Sequence, residues 1–264
     1  MPTPIDSTAV FVLCSAILAL SQLIYATIGF GAGLVAVSLL AMVLPDLADA
    51  VVILMVLTFA TEVWVLAHHW RHVRGRLLLW LVPPMAVGLW FGTELLQAGT
   101  GVGLKRALGA VVAAAGLWFL WQERKAAGRG LLNSSNDSIH NKHANRWWSM
   151  PAGFASGLLG GLFGTGAPPV VMLFKGLRLP KATFRSTMLS YFLLMSVVRC
   201  GMYLQSGLLS RRLAIAAACL LPAGLIGIWL GMKLHHRIAE HQFGMIVSTL
   251  IVVLGFLLLV GIER

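Results

Sequence analysis

Charged residues are scarce in this 264-residue chain: they make up 11% of it, against about a quarter of a soluble domain. With a hydrophobic share of 58% and a mean hydropathy of +0.85, this scarcity excludes an ordinary soluble domain. No Lys or Arg precedes Arg71, so the basic flank of a cleaved signal peptide is missing and the first helix is expected to remain in the mature protein. The 3 cysteines lie in apolar segments, which favours core positions over disulfide bonds.

Long apolar runs predict an all-α polytopic membrane protein, because a spanning helix needs roughly 20 apolar residues. The net charge of +11 falls mainly in short loops between these runs, which indicates cytoplasmic loop charge rather than nucleic-acid binding. The predicted spans are 9–28, 46–67, 77–94, 103–121, 182–204, 213–234 and 242–261, with shorter helical pieces at 34–44, 149–163 and 168–174.

Two glycine-broken apolar segments repeat along the chain. Residues 21–35 align without gaps with residues 156–170, so that Gly-Phe-Gly at 29–31 meets Gly-Thr-Gly at 164–166. A later match, after a gain of four residues, aligns the Pro-x4-Gly-x3-Gly pattern at 83–92 with that at 222–231. Glycines four apart favour close helix packing. An interruption at matching positions of two halves is the best sequence indicator of a transporter's binding site.

Loop charge predicts that the two halves face opposite ways. The loop 45–49, after the first break, contains aspartates and no cation, whereas its counterpart 175–185 is basic. The basic stretches 68–76 and 122–146 are expected in the cytoplasm. Each half is then a glycine-broken, re-entrant or discontinuous segment followed by three transmembrane helices, and the halves form an inverted repeat. The basic pair at 211–212 disagrees, because it falls on the predicted outer side.

This topology divides the chain into a first transmembrane repeat (1–121), a flexible cytoplasmic linker (122–148) and a second transmembrane repeat (149–264). Both termini are expected outside, in a multi-pass protein of the cell inner membrane or plasma membrane. The segment 9–44 would measure roughly 54 Å as one straight helix. Since the hydrocarbon core is only about 30 Å thick, the segment must turn back or tilt severely.

The breaks predict an anion site. A half-helix that begins at a break presents free N–H groups and a positive dipole end, and glycine lets the backbone approach a ligand closely. Tight helix packing is the alternative role for these glycines. The expected substrate-binding residues are Gly29, Gly31, Gly33, Gly164, Thr165 and Gly166 at the breaks, with Gln22, Arg185 and Arg199 nearby.

Ionisable residues inside spans are expensive in a membrane and therefore informative. Glu62 and Arg199 could each line the pathway or snorkel to the nearer interface. Arg185, at the cytoplasmic start of its span, is a candidate for attracting anions, with an ordinary orientation charge as the alternative. The hydroxyls of Ser21 and Ser156 could bond the substrate or pack helices.

The two breaks, their early place in each half and the near full-length repeat resemble the TauE/SafE (TSUP) family of sulfite and organosulfonate exporters. The family is typically richer in glycine at the second break, where Ala167-Pro168 stands here. The resemblance implies secondary transport of a small anion: sulfite, thiosulfate, an organosulfonate or a related sulfur or carboxylate anion. Alternating access is the expected mechanism, without a cofactor, a metal or catalytic residues. The expected partners are the anion, the lipid bilayer, and either a proton or sodium as coupling ion. A homodimer is compatible with the sequence, and nucleic acid is not expected.

Two alternatives stay open from the residues. A membrane-embedded enzyme could use Ser156 as a nucleophile and a helix-end histidine such as His69 as its base. A passive anion channel could be built on the same breaks. Metal binding at the His-x2-His pairs of 69–72 and 140–143 is weakly indicated, because they lack cysteine or carboxylate companions. No Walker A motif is present, which argues against an ATPase.

Overall fold

The computed structural model describes residues 7–28, 31–69, 73–99, 101–129, 144–177, 179–235 and 240–260. These residues form ten α-helices and no strand, so the all-α prediction is confirmed. The helices are α1 (Thr8–Ile28), α2 (Ala32–Val43), α3 (Leu47–His69), α4 (Gly75–Ala98), α5 (Gly101–Arg129), α6 (Ala144–Phe163), α7 (Ala167–Gly176), α8 (Lys181–Gln205), α9 (Arg211–His235) and α10 (Glu240–Val260).

Within the described residues, five helices are long and apolar enough to cross a membrane, namely α1, α4, α5, α8 and α9. Many large apolar side chains on their surfaces are exposed, as a lipid environment permits. The length and apolar character of these helices confirm the prediction of a multi-pass membrane protein. Each predicted span or shorter piece coincides with a helix. However, α5 continues to Arg129 and α6 begins at Ala144, so both ends of the segment assigned to the linker are helical, and 130–143 lie outside the described residues.

Close glycine contacts join helices from different halves of the chain. A β-carbon on Gly88 of α4 would collide with the carbonyl oxygen of Phe154 on α6. The same holds for Gly227 of α9 and the carbonyl oxygen of Ala19 on α1. Both pairs run parallel, since the next glycines, Gly92 and Gly231, meet α6 and α1 one turn further on. The glycines of the later repeat match therefore pack backbone against backbone, as their spacing predicted.

Two further pairs run antiparallel. Gly109 of α5 lies against Leu258 of α10, and Gly116, further along α5, lies against Val252, which comes earlier in α10. The helices α3 and α8 also pack antiparallel, because Ser196 is hydrogen-bonded to Glu62 and Arg199, later in α8, is hydrogen-bonded to Thr58, earlier in α3. In both antiparallel pairs, α5 with α10 and α3 with α8, the helix of the first half lies against its counterpart in the second half.

The short helices α2 and α7 end at opposite ends of α5. Lys105 Nζ, near the start of α5, donates a hydrogen bond of 3.0 Å to the carbonyl of Leu44 at the end of α2. Lys175 Nζ, in the last turn of α7, lies 4.0 Å from Glu123 Oε1 of α5. Lys105 and Glu123 are separated by about 27 Å along the helix axis at 1.5 Å per residue. Each cation also lies favourably at a helix C-terminus.

Candidate functional site

Both breaks border one small cavity of about 50 Å³. Its walls come from α1, α3 and α8, together with the first residues of α2 and α7. It brings together six of the nine predicted site residues. The lining residues are Tyr25, Gly31, Gly33, Thr58, Glu62, Gly164, Thr165, Gly166, Ala167, Phe192, Met195, Ser196 and Arg199.

At the first break, α1 ends at Ile28 and α2 begins at Ala32. Gly31 precedes α2 with a φ of 90°, a left-handed conformation that a residue with a side chain rarely adopts. No side chain caps this helix, and its first intrahelical bond runs from the N–H of Val35 to the carbonyl of Gly31. The N–H groups of the first turn, residues 32–34, thus have no acceptor within the helix. Of these residues, Gly33 lines the cavity.

The second break is built differently. Gly164 has a φ of 70°, and Gly166 precedes α7 without a side-chain cap. Because Pro168 and Pro169 follow Ala167, two of the first-turn positions have no N–H group. The two breaks therefore differ as donor ends: α7 offers the Ala167 N–H and its dipole, and Thr165 adds a hydroxyl.

The two breaks touch each other. A β-carbon on Gly33 would lie 3.1 Å from Cβ of Thr165, tighter than most ordinary contacts. Ser156 Oγ donates a hydrogen bond of 2.5 Å to the carbonyl of Gly166 and so holds the second break on α6. Glycine at position 33 therefore permits the close approach of α2 to the second break.

Arg199 lies in the wall of this cavity. Its side chain is 3% exposed, which contradicts the alternative that it snorkels to an interface. Nη1 donates to the carbonyl of Gly160 (3.3 Å), and Nη2 donates to Thr58 Oγ1 (3.4 Å). A β-carbon on Gly164 would be 3.5 Å from Nη1, so the guanidinium lies against the second break. A buried cation of this kind favours an anionic ligand.

Glu62 shares the cavity and is 6% exposed, so it does not snorkel either. Ser196 Oγ donates a hydrogen bond of 2.6 Å to Glu62 Oε2. The sequence indicated Glu62 as a possible pathway residue, but the predicted substrate-binding set did not include it, nor did it include Thr58, Ser196 or Tyr25. A polar residue inside an apolar span was the available signal, but the sequence does not show which polar residues face one another.

The other predicted site residues are placed less directly. Gln22 is fully buried on α1 and does not line the cavity; its amide nitrogen and oxygen form no hydrogen bond with the described residues. Arg185 belongs to α8, but its side chain lies outside the described residues, as does Gly29.

For the enzyme alternative, the hydroxyl of Ser156 donates its hydrogen bond to the carbonyl of Gly166, and the side chain of His69 lies outside the described residues. The same is true of His72, His140 and His143.

Comparison with known families adds one finding. The family described as Sulfite exporter TauE/SafE matches residues 14–258 of the chain. The match includes both breaks and every residue that lines the cavity. No curated protein and no solved structure matches the chain.

Proposed function

This chain belongs to the sulfite exporter TauE/SafE family, and from that premise we propose that it is a secondary transporter that moves a small anion across the cytoplasmic membrane by alternating access. The substrate is sulfite, thiosulfate, an organosulfonate or a related sulfur or carboxylate anion. The observation that carries this proposal is the single cavity lined by both breaks and by the buried Arg199. Irregular backbone at membrane depth is tolerated where it lines such a cavity.

In this proposal the anion binds between the two breaks. The guanidinium of Arg199 supplies the charge, and the N–H groups at the start of α2 supply aligned donors. Thr165 and the N–H of Ala167 complete the site from the second break. Gly29 and Gly33 serve by letting the backbone approach the anion. Gln22, which does not line the cavity, and Arg185 act at its approaches.

Helix directions support an inverted repeat of residues 1–121 and 149–264. A two-fold axis in the membrane plane makes each helix antiparallel to its counterpart, as α3 is to α8 and α5 to α10. The half-helices support it too. With 12 and 10 residues, α2 and α7 measure about 18 Å and 15 Å. Joined at their first residues, they cover roughly the 30 Å of a hydrocarbon core, which supports a site near its middle.

Orientation follows from the loop charges. The basic end of α5 and the linker at 122–148 are cytoplasmic, the end of α2 lies outside, and both termini lie outside the cell inner membrane or plasma membrane. The transport cycle includes a coupling ion, either a proton or sodium. A homodimer is a further proposal, which the mass of the purified protein in detergent would test.

We predict that cysteine at Asp46 reacts with an impermeant maleimide added to intact cells and that cysteine at Gly176 does not. Both positions are exposed, at the ends of α2 and α7, and a side chain at Gly176 meets no atom within 4 Å. Permeabilised cells should label both variants, and the wild-type chain controls for the native cysteines. Equal labelling of both variants in intact cells would contradict the inversion.

Flux into liposomes tests the transport function itself. The purified protein should exchange labelled anion across the membrane in a saturable way, with sulfite, thiosulfate, methanesulfonate and acetate compared at one concentration. Liposomes without protein give the background. An ohmic anion current instead of saturable exchange would favour a channel, and appearance of a reaction product would favour an enzyme.

A further inference from the structure

We propose that Glu62 is the proton-binding group of the transport site and that the anion and one proton bind to the protein together. This inference rests on the proposed transport function, because it concerns the same cavity. It starts from the two ionisable side chains of opposite charge that the described residues place in the cavity wall, Glu62 on α3 and Arg199 on α8. Both are buried, so neither charge is fully solvated by water.

The charge balance of the cavity changes when the anion arrives. Without substrate, the negative charge of the Glu62 carboxylate and the positive charge of the Arg199 guanidinium nearly cancel. An anion bound at Arg199 would leave two negative charges against one positive charge in a poorly hydrated space, which is strongly unfavourable. A proton on Glu62 restores neutrality. Anion binding therefore strengthens proton binding at Glu62, and by linkage proton binding strengthens anion binding by the same factor.

Few groups compete with Glu62 for this role. The other polar side chains that line the cavity are Tyr25 on α1, Thr58 on α3, Thr165 at the second break, and Ser196 and Arg199 on α8. The sequence of α2 contains no ionisable side chain. The charged side chains described on α9, namely Arg211, Arg212 and Lys233, are exposed at the helix ends.

The geometry favours a proton over sodium. Ser196 donates its hydroxyl hydrogen to Glu62 Oε2 and so holds this side chain in place at the cavity. A proton needs only one oxygen, whereas a sodium ion needs several, and the hydrogen bond from Ser196 goes to Oε2, which leaves Oε1 for a proton. The proton is taken from water at one side of the membrane, held on Oε1, and released at the other side.

Methanesulfonate is a suitable probe because its charge does not change near neutral pH. For the wild-type protein in liposomes, an imposed pH gradient at zero membrane potential should drive accumulation of labelled methanesulfonate, and a sodium gradient should not. Equilibrium affinity should fall by up to about tenfold for each unit of rising pH once Glu62 loses its proton.

Glu62→Gln resembles the protonated side chain in shape and charge. We expect its methanesulfonate affinity to become independent of pH, and its gradient-driven accumulation to fall at least about tenfold while exchange remains measurable. Glu94→Gln is the matched control, an exposed carboxylate near the end of α4, and it should behave as the wild type. Ser196→Ala removes the hydroxyl that stabilises the carboxylate form. It should therefore shift the midpoint of the pH dependence upward by about one unit.

The outcomes separate the two ideas. A wild-type protein that exchanges no anion overturns the transport function and this inference together. Normal exchange with sodium-driven accumulation overturns the inference alone, as does full pH-driven accumulation in Glu62→Gln. If Glu62→Gln does not fold, a pH midpoint of Ser196→Ala identical to that of the wild type overturns the role of Glu62.

Discussion

Arg199→Gln is expected to weaken anion binding by about 30-fold to 1,000-fold, which corresponds to roughly 2–4 kcal/mol for the loss of one partner of a buried charge pair. The reason is its position: the guanidinium is buried in the cavity wall against the second break, where water cannot replace it. Arg199→Lys keeps the charge but loses the planar donor fork, and we expect it to retain part of the affinity.

Equilibrium binding to the purified variants measures this effect, with sulfite, thiosulfate and methanesulfonate compared. Arg106→Gln is the matched control, because Arg106 is an exposed arginine of α5. Thermal unfolding in detergent establishes that each variant is folded. Arg199→Gln should also flatten the dependence of binding on substrate charge. If the glutamine variant binds every anion as tightly as the wild type, Arg199 has a structural role only.

Gly166→Ala is expected to remove transport and to destabilise the protein by at least about 1–3 kcal/mol, the usual effect of overpacking. A β-carbon at this position would collide with the carbonyl oxygen of Ser156 and lie 2.6 Å from Cε of Met195. To relieve the collision, α7 would have to move away from α6, and the second break would leave the cavity. Valine, with more bulk, should do the same more severely.

Gly176→Ala, at the other end of α7, is the control, since nothing lies within 4 Å of its added β-carbon. Gly31→Ala provides a contrast. Its β-carbon would have room, with Ile251 Cδ1 at 3.8 Å, but its φ of 90° imposes strain, about 1–3 kcal/mol in such cases. Thermal unfolding and methanesulfonate uptake should rank Gly176→Ala near the wild type and Gly166→Ala lowest. Wild-type uptake by Gly166→Ala would exclude tight packing of the second break as a requirement.

The sequence predicts the helices and the breaks because both depend on local chemistry. Apolar runs of spanning length and a Gly-x-Gly pattern are visible in a single chain, and the end of α1 and the start of α2 follow from them. The helix ends were less predictable. The apolar part of α5 stops near residue 121, but its helix continues to Arg129, because hydropathy marks the edge of the membrane and not the edge of the helix.

The partners within the site could not be predicted in the same way. Glu62 and Ser196 come together only because α3 packs antiparallel to α8, a contact between distant parts of the chain. For the same reason, a lone arginine in a span is compatible with snorkelling until its surroundings are known. The difference between the breaks, in contrast, was already present in the sequence: Pro168 and Pro169 remove two donors, whereas the first turn of α2 keeps all of its own.

The parallel glycine contacts have a mechanical consequence. The helix that leads into each break is packed backbone against backbone on a helix of the other half, α1 on α9 and α6 on α4. The two halves of the sequence are thus packed into each other, and neither can rotate as a rigid body relative to the other without breaking these contacts. Any opening of the cavity has to carry α1 together with α9, and α6 together with α4. Under the proposed alternating access, each moving part would therefore contain helices from both halves of the chain.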